Sequence, residues 1–163
     1  MIQVSQKRRS YIATMAAVIL TVAAVDQATK QFMLSWLTEG EPVYVIGDWF
    51  RFYLLFNPGA AFSMGGEGST WLFTTIQLAF VVGVAITAPR IHDRGQAIGL
   101  AMIAGGALGN LIDRLFREPG FWFGHVVDFI SVGDFAVFNL ADASITCGVV
   151  VFIIFMFREE VKK

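Results

Sequence analysis

Four segments of this chain are long and apolar enough to cross a lipid bilayer, and they limit the possible folds more than any other feature. A membrane-spanning helix needs roughly 20 apolar residues. The four segments cover residues 11–30, 69–89, 96–115 and 135–157, approximately. With 56% hydrophobic and 15% charged residues and a mean hydropathy of +0.64, the 163-residue chain is too apolar for an ordinary soluble domain. We therefore predict an all-α membrane protein with four transmembrane helices, in which residues 1–163 form a single domain.

The basic residues that flank these segments predict the orientation in the membrane. Eight of the twelve lie on one side of the predicted bundle: Lys7, Arg8, Arg9, Arg90, Arg94, Arg158, Lys162 and Lys163. The positive-inside rule makes this side cytoplasmic, so both termini are expected inside and the loops of residues 31–68 and 116–134 outside. Basic residues before the first apolar segment also fit a cleavable signal sequence. Four uncleaved spans agree better with the charge pattern.

The first outer loop contains a predicted β-hairpin. Val43–Ile46 and residues 49–56 have strand-like sequences, and Gly47-Asp48 between them is typical of a two-residue turn. Trp and Tyr residues concentrate at the membrane–water interface, and this loop is rich in aromatic residues. We therefore expect a small extracytoplasmic β-sheet between helices 1 and 2, lying on the bilayer surface.

Asp128 and Asp142 each occur in an otherwise apolar stretch. A carboxylate at membrane depth is costly and usually has a function. Asp142 is expected about seven residues into the fourth span, roughly 10 Å below its outer end, and Asp128 precedes it in the outer loop. Two neighbouring carboxylates cannot both ionise easily, so one can act as a general base and the other as a general acid. The residues alone leave open a hydrolytic pair or a structural or proton-relay pair.

The third span adds small and polar residues. Gly105 and Gly109 have the spacing that lets membrane helices approach closely, which predicts a structural role. Asn110 and Arg114 are four residues apart and share a helix face near the outer end. Arg114 can balance the acids or hold a backbone carbonyl of a substrate, or it can simply extend to the interface. Asp113 points elsewhere and is expected to pair with a loop residue.

Further polar residues have predicted supporting roles. Asn139 lies three residues before Asp142, on the same helix face, and is expected to orient that carboxylate. Asn57 either hydrogen-bonds an extended substrate or makes only a local turn. Asp26 and Lys30 form an i,i+4 pair at the outer end of the first span, which predicts a structural anchor.

The remaining chemistry-bearing residues exclude several classes of function. Cys147 lies in an apolar run and is interpreted as a packing residue. His125, three residues before Asp128, is a candidate for tuning the acidic pair, but two histidines at this spacing provide no metal site. We expect no cofactor. A net charge of −1 gives no electrostatic basis for binding nucleic acid.

Taken together, these residues resemble the lipoprotein signal peptidase family, also called signal peptidase II. The matching pieces occur in order along nearly the whole chain: Asp26 with Lys30, then residues 57–62 (NPGAAF), 105–114 (GGALGNLIDR), 127–129 (VDF) and 138–142 (FNLAD). The resemblance implies a multi-pass enzyme of the bacterial cytoplasmic (inner) membrane with its active site on the extracytoplasmic side. Such an enzyme cuts the signal peptide from prolipoproteins just before a cysteine that carries diacylglyceryl.

The resemblance also implies roles for individual residues. It makes Asp128 and Asp142 the catalytic dyad, and it groups Asn57, Asn110, Arg114 and Asn139 around them as supporting or substrate-binding residues. Expected partners are the prolipoprotein substrates, membrane lipids and peptide antibiotics of the globomycin type, which imitate a substrate. As a further hypothesis, a Gly65-Gly66 hinge lets the aromatic loop close over the dyad.

Two other functions compete with this interpretation. A small proton-coupled membrane carrier would also retain buried acids, but it needs a polar path that reaches the cytoplasmic side. A non-catalytic membrane assembly protein needs no close pair of carboxylates, and its glycine-rich helix face would be the functional part.

Overall fold

Four long helices dominate the computed structural model, which describes residues 10–59 and 70–160. They are α1 (Ile12–Trp36), α2 (Thr70–Thr87, extended by a 3₁₀ turn at Ala88–Arg90), α3 (Arg94–Phe116) and α4 (Leu140–Glu160). Each helix is long and apolar enough to cross a membrane, which agrees with the four predicted spans. The terminal basic residues Lys7 to Arg9 and Lys162 to Lys163, and the predicted Gly65-Gly66 hinge, lie outside the described residues.

Helix α3 lies at the centre of the bundle and contacts each of the other three helices. Its glycines allow this close packing, because any side chain would collide with a neighbouring helix. A Cβ atom at Gly105 would lie 2.8 Å from the Cβ of Val22 on α1, and one at Gly106 would lie 2.4 Å from the carbonyl oxygen of Ala141 on α4. The predicted close approach at Gly105 is therefore present, and Gly106 extends it to a second helix.

Substitution of Gly109 tests this packing. A Cβ atom there would lie 2.6 Å from Oδ2 of Asp26, so Gly109→Ala must displace that buried carboxylate. We expect a loss of about 1–3 kcal/mol in the free energy of unfolding, the usual cost of overpacking. Gly83→Ala on α2 is the matched control, because nothing lies within 4 Å of its added Cβ. Reversible denaturation in detergent measures both variants, and equal stabilities would contradict the packing argument.

A three-stranded antiparallel sheet follows the ends of α1 and α3. Its strands are β1 (Val43–Ile46), β2 (Phe50–Asn57) and β3 (Val126–Val132), in the order β1-β2-β3. The predicted hairpin is present, but its connection has three residues, 47–49, instead of the two-residue Gly47-Asp48 turn. The reason is that the N–H of Trp49 donates to the carbonyl of Ile46 at 3.1 Å, while β2 pairing begins at Phe50. Gly47 has a φ of +49°, which suits a glycine.

The sequence pattern does not predict strand β3, because the segment between the two aspartates has no alternation of polar and apolar residues. Four consecutive residues, Val126 to Phe129, are buried, so both faces of this part of the strand are covered. Val127 and Phe129 pack with Leu37 and Leu54 in an apolar cluster. Side chains alternate along a strand, so Asp128 points to the opposite face, toward the helices.

Helix α4 begins at Leu140 and not at residue 135, as the apolar pattern predicted. Phe138 is still extended, because its N–H and carbonyl pair with Ile130 of β3 at 3.0 and 2.8 Å. Asn139 then caps the helix by accepting a hydrogen bond from the N–H of Asp142 at 3.0 Å. Asp142 therefore lies in the first turn of α4, and the predicted depth of roughly 10 Å along the helix was wrong.

Candidate functional site

Asn139 joins the two aspartates that the sequence identified. Its Nδ2 donates to Oδ1 of Asp128 at 2.7 Å, and its backbone N–H donates to Oδ2 of Asp142 at 3.2 Å. Because Asn139 also accepts from the N–H of Asp142, residues 139 and 142 form a reciprocal cap at the start of α4. One residue thus fixes both carboxylates, because the chain passes directly from its bridge with β3 into the helix.

Two further asparagines bind the remaining carboxylate oxygens. Nδ2 of Asn57, at the end of β2, donates to Oδ2 of Asp128 at 2.9 Å. Nδ2 of Asn110, on α3, donates to Oδ1 of Asp142 at 2.8 Å. Each carboxylate therefore accepts a hydrogen bond on each of its oxygens, from donors on separate elements of the fold. Such a network holds both side chains in one geometry.

The environment of Asp128 alters its acidity. Burial, reinforced by the negative charge of Asp142, raises the pKa of Asp128 from its ordinary value to about 7, against the opposing effect of its hydrogen bonds from Asn57 and Asn139. The side chain is 1% exposed. Asp142 differs in position, because it lies in the first turn of α4 and is partly exposed. The two acids therefore occupy different electrostatic surroundings.

Asn57 and Arg114 together hold the segment that follows β2. Oδ1 of Asn57 accepts from the N–H of Gly59 at 3.0 Å, so this side chain makes the local turn and also contacts Asp128. The two predicted alternatives for Asn57 are thus compatible. Arg114 donates from Nη1 to the carbonyl of Pro58 at 3.3 Å and from Nη2 to that of Gly59 at 3.2 Å. Because Arg114 is 3% exposed, the alternative that it extends to the interface was wrong.

A buried ionic cluster contacts the site through Asn110. Nζ of Lys30 lies 2.8 Å from Oδ2 of Asp26 and 2.8 Å from Oδ2 of Asp113, and all three side chains are 0% exposed. It also donates to Oδ1 of Asn110 at 2.8 Å. The predicted i,i+4 pair of Asp26 and Lys30 is therefore present, but inside α1 and not at its end.

The cluster ties three helices and the sheet together. Oδ1 of Asp26 accepts from the N–H of Ala141 at 3.0 Å, in the first turn of α4. Oδ2 of Asp113 accepts from the N–H of Val127 at 3.1 Å, so Asp113 pairs with the second outer loop as predicted. Asp113 also accepts from Arg117 at 2.6 Å. The sequence did not predict that Asp113 belongs with Lys30, because contacts between distant segments leave no local pattern.

The aspartates open into a cavity of about 630 Å³. Its polar part contains the dyad and its supporting amides, and most of its remaining wall is apolar. The lining residues include Asn57, Gly59, Phe73, Gln77, Asn110, Arg114, Asp128, Phe135, Val137, Phe138, Asp142, Ala143 and Cys147. A cavity of this size with a few convergent polar groups is typical of a ligand-binding site.

Two predicted residues lie elsewhere than expected. His125 lines a separate cavity with Arg117 and Glu118, and not the cavity of the dyad. Cys147 is exposed and lines the dyad cavity, so its interpretation as a packing residue was wrong. Over residues 10–59 and 70–160, no three His, Cys, Asp or Glu side chains are grouped to hold a metal ion.

Comparison with known proteins identifies the family. Residues 18–158 match the sequence model of the family described as signal peptidase (SPase) II. The chain is 46% identical over 152 residues to a lipoprotein signal peptidase of Streptomyces coelicolor, covering 93% of this chain and 73% of the relative. It is 45% identical over 148 residues to that of Mycobacterium tuberculosis, covering 91% and 71%.

A solved structure has the same fold. It is a bacterial membrane enzyme, determined by the in meso method at 2.3 Å resolution, and it superposes with a TM-score of 0.82 at 28% identity. The match covers 96% of this chain and 94% of that one. The two aspartates, their supporting amides and the ionic cluster all lie within the region that matches the family model. Its sequence and its fold show that this chain belongs to the signal peptidase II family.

Proposed function

We infer that this chain is a membrane aspartic endopeptidase that removes the signal peptide from prolipoproteins, with Asp128 and Asp142 as its catalytic dyad. The observation that supports the dyad most directly is Asn139, which hydrogen-bonds both carboxylates in an otherwise largely apolar cavity. Paired acids in different environments can divide the roles of acid and base. Membership of the signal peptidase II family supports the substrate class.

The proposed reaction uses Asp128 as the acid and Asp142 as the base. Asp142 takes a proton from water, whose oxygen attacks the scissile carbonyl carbon, while Asp128 donates its proton to the carbonyl oxygen. The resulting tetrahedral intermediate breaks its C–N bond. Asp142 then gives its proton to the leaving nitrogen, and Asp128 recovers a proton from one hydroxyl of the intermediate. Both acids return to their starting states without a covalent intermediate.

The position of the dyad suits a lipid-anchored substrate. A peptide whose cysteine carries diacylglyceryl presents its scissile bond near the bilayer surface, and the dyad lies beside the sheet, at the first turn of α4. All four residues of β1, which are apolar or aromatic, are exposed, as expected for a strand that rests on the membrane surface. The flanking charges support cytoplasmic termini and an extracytoplasmic active site.

A proton-coupled carrier fits the polar residues less well. Of the described buried side chains, Asp26, Lys30, Asn110 and Asp128 concentrate near the sheet, and the partly exposed Asp142 lies beside them. Away from the sheet, α1, α2 and α3 pack through an apolar cluster that includes Met15, Val84 and Ala97. This arrangement favours chemistry at one membrane face over transport across the bilayer. The close acidic pair likewise favours an enzyme over a non-catalytic assembly protein.

The acidity of Asp128 predicts how activity depends on pH. Because burial raises the pKa of Asp128 to about 7, its proton is lost as the pH rises through that value. We expect kcat/KM, which reports ionisations of the free enzyme, to fall about tenfold for each pH unit well above 7. Initial rates between about pH 5.5 and 9 in a constant-ionic-strength buffer measure this limb. A rate that rises or stays flat through the alkaline half of that range would contradict Asp128 as the acid.

Cleavage of defined substrates tests the function itself. The detergent-purified protein is incubated with one prolipoprotein in two forms, with and without diacylglyceryl on its cysteine. We expect cleavage before the cysteine of the modified form only, and inhibition by a globomycin-type peptide that occupies the same cavity. Mass spectrometry identifies the bond that is cut. Failure to cut either form, by protein that remains folded, would refute the proposed function.

A further inference from the structure

Two buried polar atoms lack a hydrogen-bond partner in the part of the chain that the structure describes, and their residues line the same cavity. They are Oε1 of Gln77, an acceptor, and Nε of Arg114, a donor. Buried polar groups are nearly always paired, so an unpaired one calls for an explanation. The Arg114 guanidinium already holds two backbone carbonyls and lies over the ring of Phe73 at 5.8 Å, whereas no such contact within residues 10–59 and 70–160 holds Oε1 of Gln77.

We propose that Gln77 is a substrate-binding residue whose amide hydrogen-bonds the backbone of the bound peptide. The proposal rests on the peptidase function inferred above. An extended peptide that enters a largely apolar cavity loses the water bound to its N–H and carbonyl groups, and each unsatisfied group is costly. A primary amide can satisfy both kinds of group. Rotation about the soft terminal torsion of Gln77 turns Oε1 toward the cavity.

The position of Gln77 indicates which part of the substrate it contacts. It lies seven residues after Thr70, where α2 begins, or roughly 10 Å along the helix. Asp142, in contrast, lies in the first turn of α4. Thr70 hydrogen-bonds the carbonyl of Pro58, the neighbour of Asn57, which binds Asp128, so the start of α2 lies near the level of the dyad. Gln77 lies farther along α2, toward the interior of the span. The signal peptide extends from the scissile bond into the membrane, so Gln77 binds a backbone N–H on the signal-peptide side of that bond.

Replacement of Gln77 with leucine tests the proposal. Because no residue among 10–59 and 70–160 hydrogen-bonds Oε1, Gln77→Leu removes no hydrogen bond to that atom within these ranges, and we expect the thermal stability to be unchanged or higher. We expect kcat/KM to fall about tenfold, while the pH at which activity declines stays the same. Gln77→Met is a second variant of similar size. Thr75→Val, at an exposed position of the same helix, is the matched control.

Substrates with a single ester bond separate binding from structure. Each ester replaces one backbone N–H on the signal-peptide side with oxygen, which cannot donate. For one of these esters, we expect the wild-type protein to have a kcat/KM about tenfold below its value for the normal substrate. For Gln77→Leu, the ester and the normal substrate should have almost the same kcat/KM. The proposal is wrong if every ester lowers kcat/KM by the same factor in the wild type and in Gln77→Leu. It is also wrong if Gln77→Leu cleaves the normal substrate at the wild-type rate. Wild-type protein that cleaves no substrate refutes the peptidase function instead.

Discussion

Replacing Asp128 or Asp142 with asparagine is expected to lower kcat by at least about 10³-fold while the protein stays folded. Asparagine keeps the size of the side chain but can act as neither the acid nor the base, and proton transfer by a placed side chain contributes about 10²–10⁴-fold. Because both residues act in one step, the double variant should be little worse than either single variant. Cleavage of a diacylglyceryl-modified prolipoprotein under single-turnover conditions measures this loss.

Asp134→Asn is the matched control for both substitutions. Asp134 follows β3 and is exposed. Its substitution therefore removes the same charge from the loop without altering the hydrogen bonds of the dyad. Its activity should remain within about twofold of the wild type. Wild-type activity in either dyad variant would refute the catalytic assignment. An equal loss of activity in Asp134→Asn would show that the effect comes from charge in this loop in general.

The stability of the Asp128→Asn variant relative to the wild type should increase as the pH rises. The pKa of Asp128 rises from 3.8 to about 7 on folding, so the folded state binds the proton more tightly than the unfolded state. The contribution of Asp128 to the free energy of unfolding is therefore most favourable below about pH 4, and it becomes less favourable as the pH rises toward 7. At about 1.4 kcal/mol per pKa unit, this cost reaches at most about 4 kcal/mol.

Thermal unfolding at two pH values measures this effect. Asp128→Asn stays neutral, but its amide NH2 faces the donor of Asn57 or of Asn139, which lowers stability at every pH. The difference in melting temperature, variant minus wild type, should therefore be more favourable to the variant at about pH 8 than at about pH 4.5. A residue that weakens the fold but is needed for activity is characteristic of an active site. A difference in melting temperature that is the same at both pH values would contradict the raised pKa of Asp128.

Local patterns in the sequence predicted the elements that depend on local physics. Long apolar runs predict helices that cross a membrane, and the Val43–Ile46 hairpin has the expected strand composition. The boundaries were less predictable, because they depend on distant contacts. The helix α4 starts at Leu140 only because Phe138 pairs with Ile130 and Asn139 caps the next turn. An apolar residue such as Phe135 has the same hydropathy inside or outside a helix.

The sequence identified Asp128 and Asp142 as two carboxylates in apolar stretches, but it did not predict how they are arranged relative to each other. Asp128 and Asp142 meet because β3 pairs with β2 and then returns directly into α4. Strand β3 is buried on both faces, so its sequence has no alternating pattern to reveal it. Gln77 was missed for a similar reason, since a single glutamine in an apolar run has meaning only once the cavity is known.

Lys30→Met is expected to destabilise the protein strongly. The loss of stability should be larger than that from removing Arg117, a cation that is partly exposed. Lys30 is fully buried between Asp26 and Asp113. Among residues 10–59 and 70–160, its removal leaves Asp26 without a cationic partner and leaves Asp113 with the partly exposed Arg117 alone. Breaking a buried ion pair by removing one partner costs about 3–5 kcal/mol. Reversible denaturation in detergent at neutral pH measures the change. Arg117→Met is the matched control, because its side chain is 22% exposed and its loss should cost only about 1 kcal/mol.

A second substitution separates the role of Lys30 in stability from its effect on the dyad. Asp26→Asn, added to Lys30→Met, removes one unpaired charge and keeps an acceptor for the N–H of Ala141, so it should restore more than half of the lost stability. It does not restore the donor to Oδ1 of Asn110, whose Nδ2 binds Asp142. The double variant should therefore be stable yet cleave about tenfold more slowly than the wild type. The reason is that Oδ1 of Asn110 keeps the hydrogen bond from Asn139 but loses the stronger, charge-assisted one from Lys30, so the amide is held less firmly. Full recovery of the cleavage rate together with stability would show that Lys30 acts only through the fold.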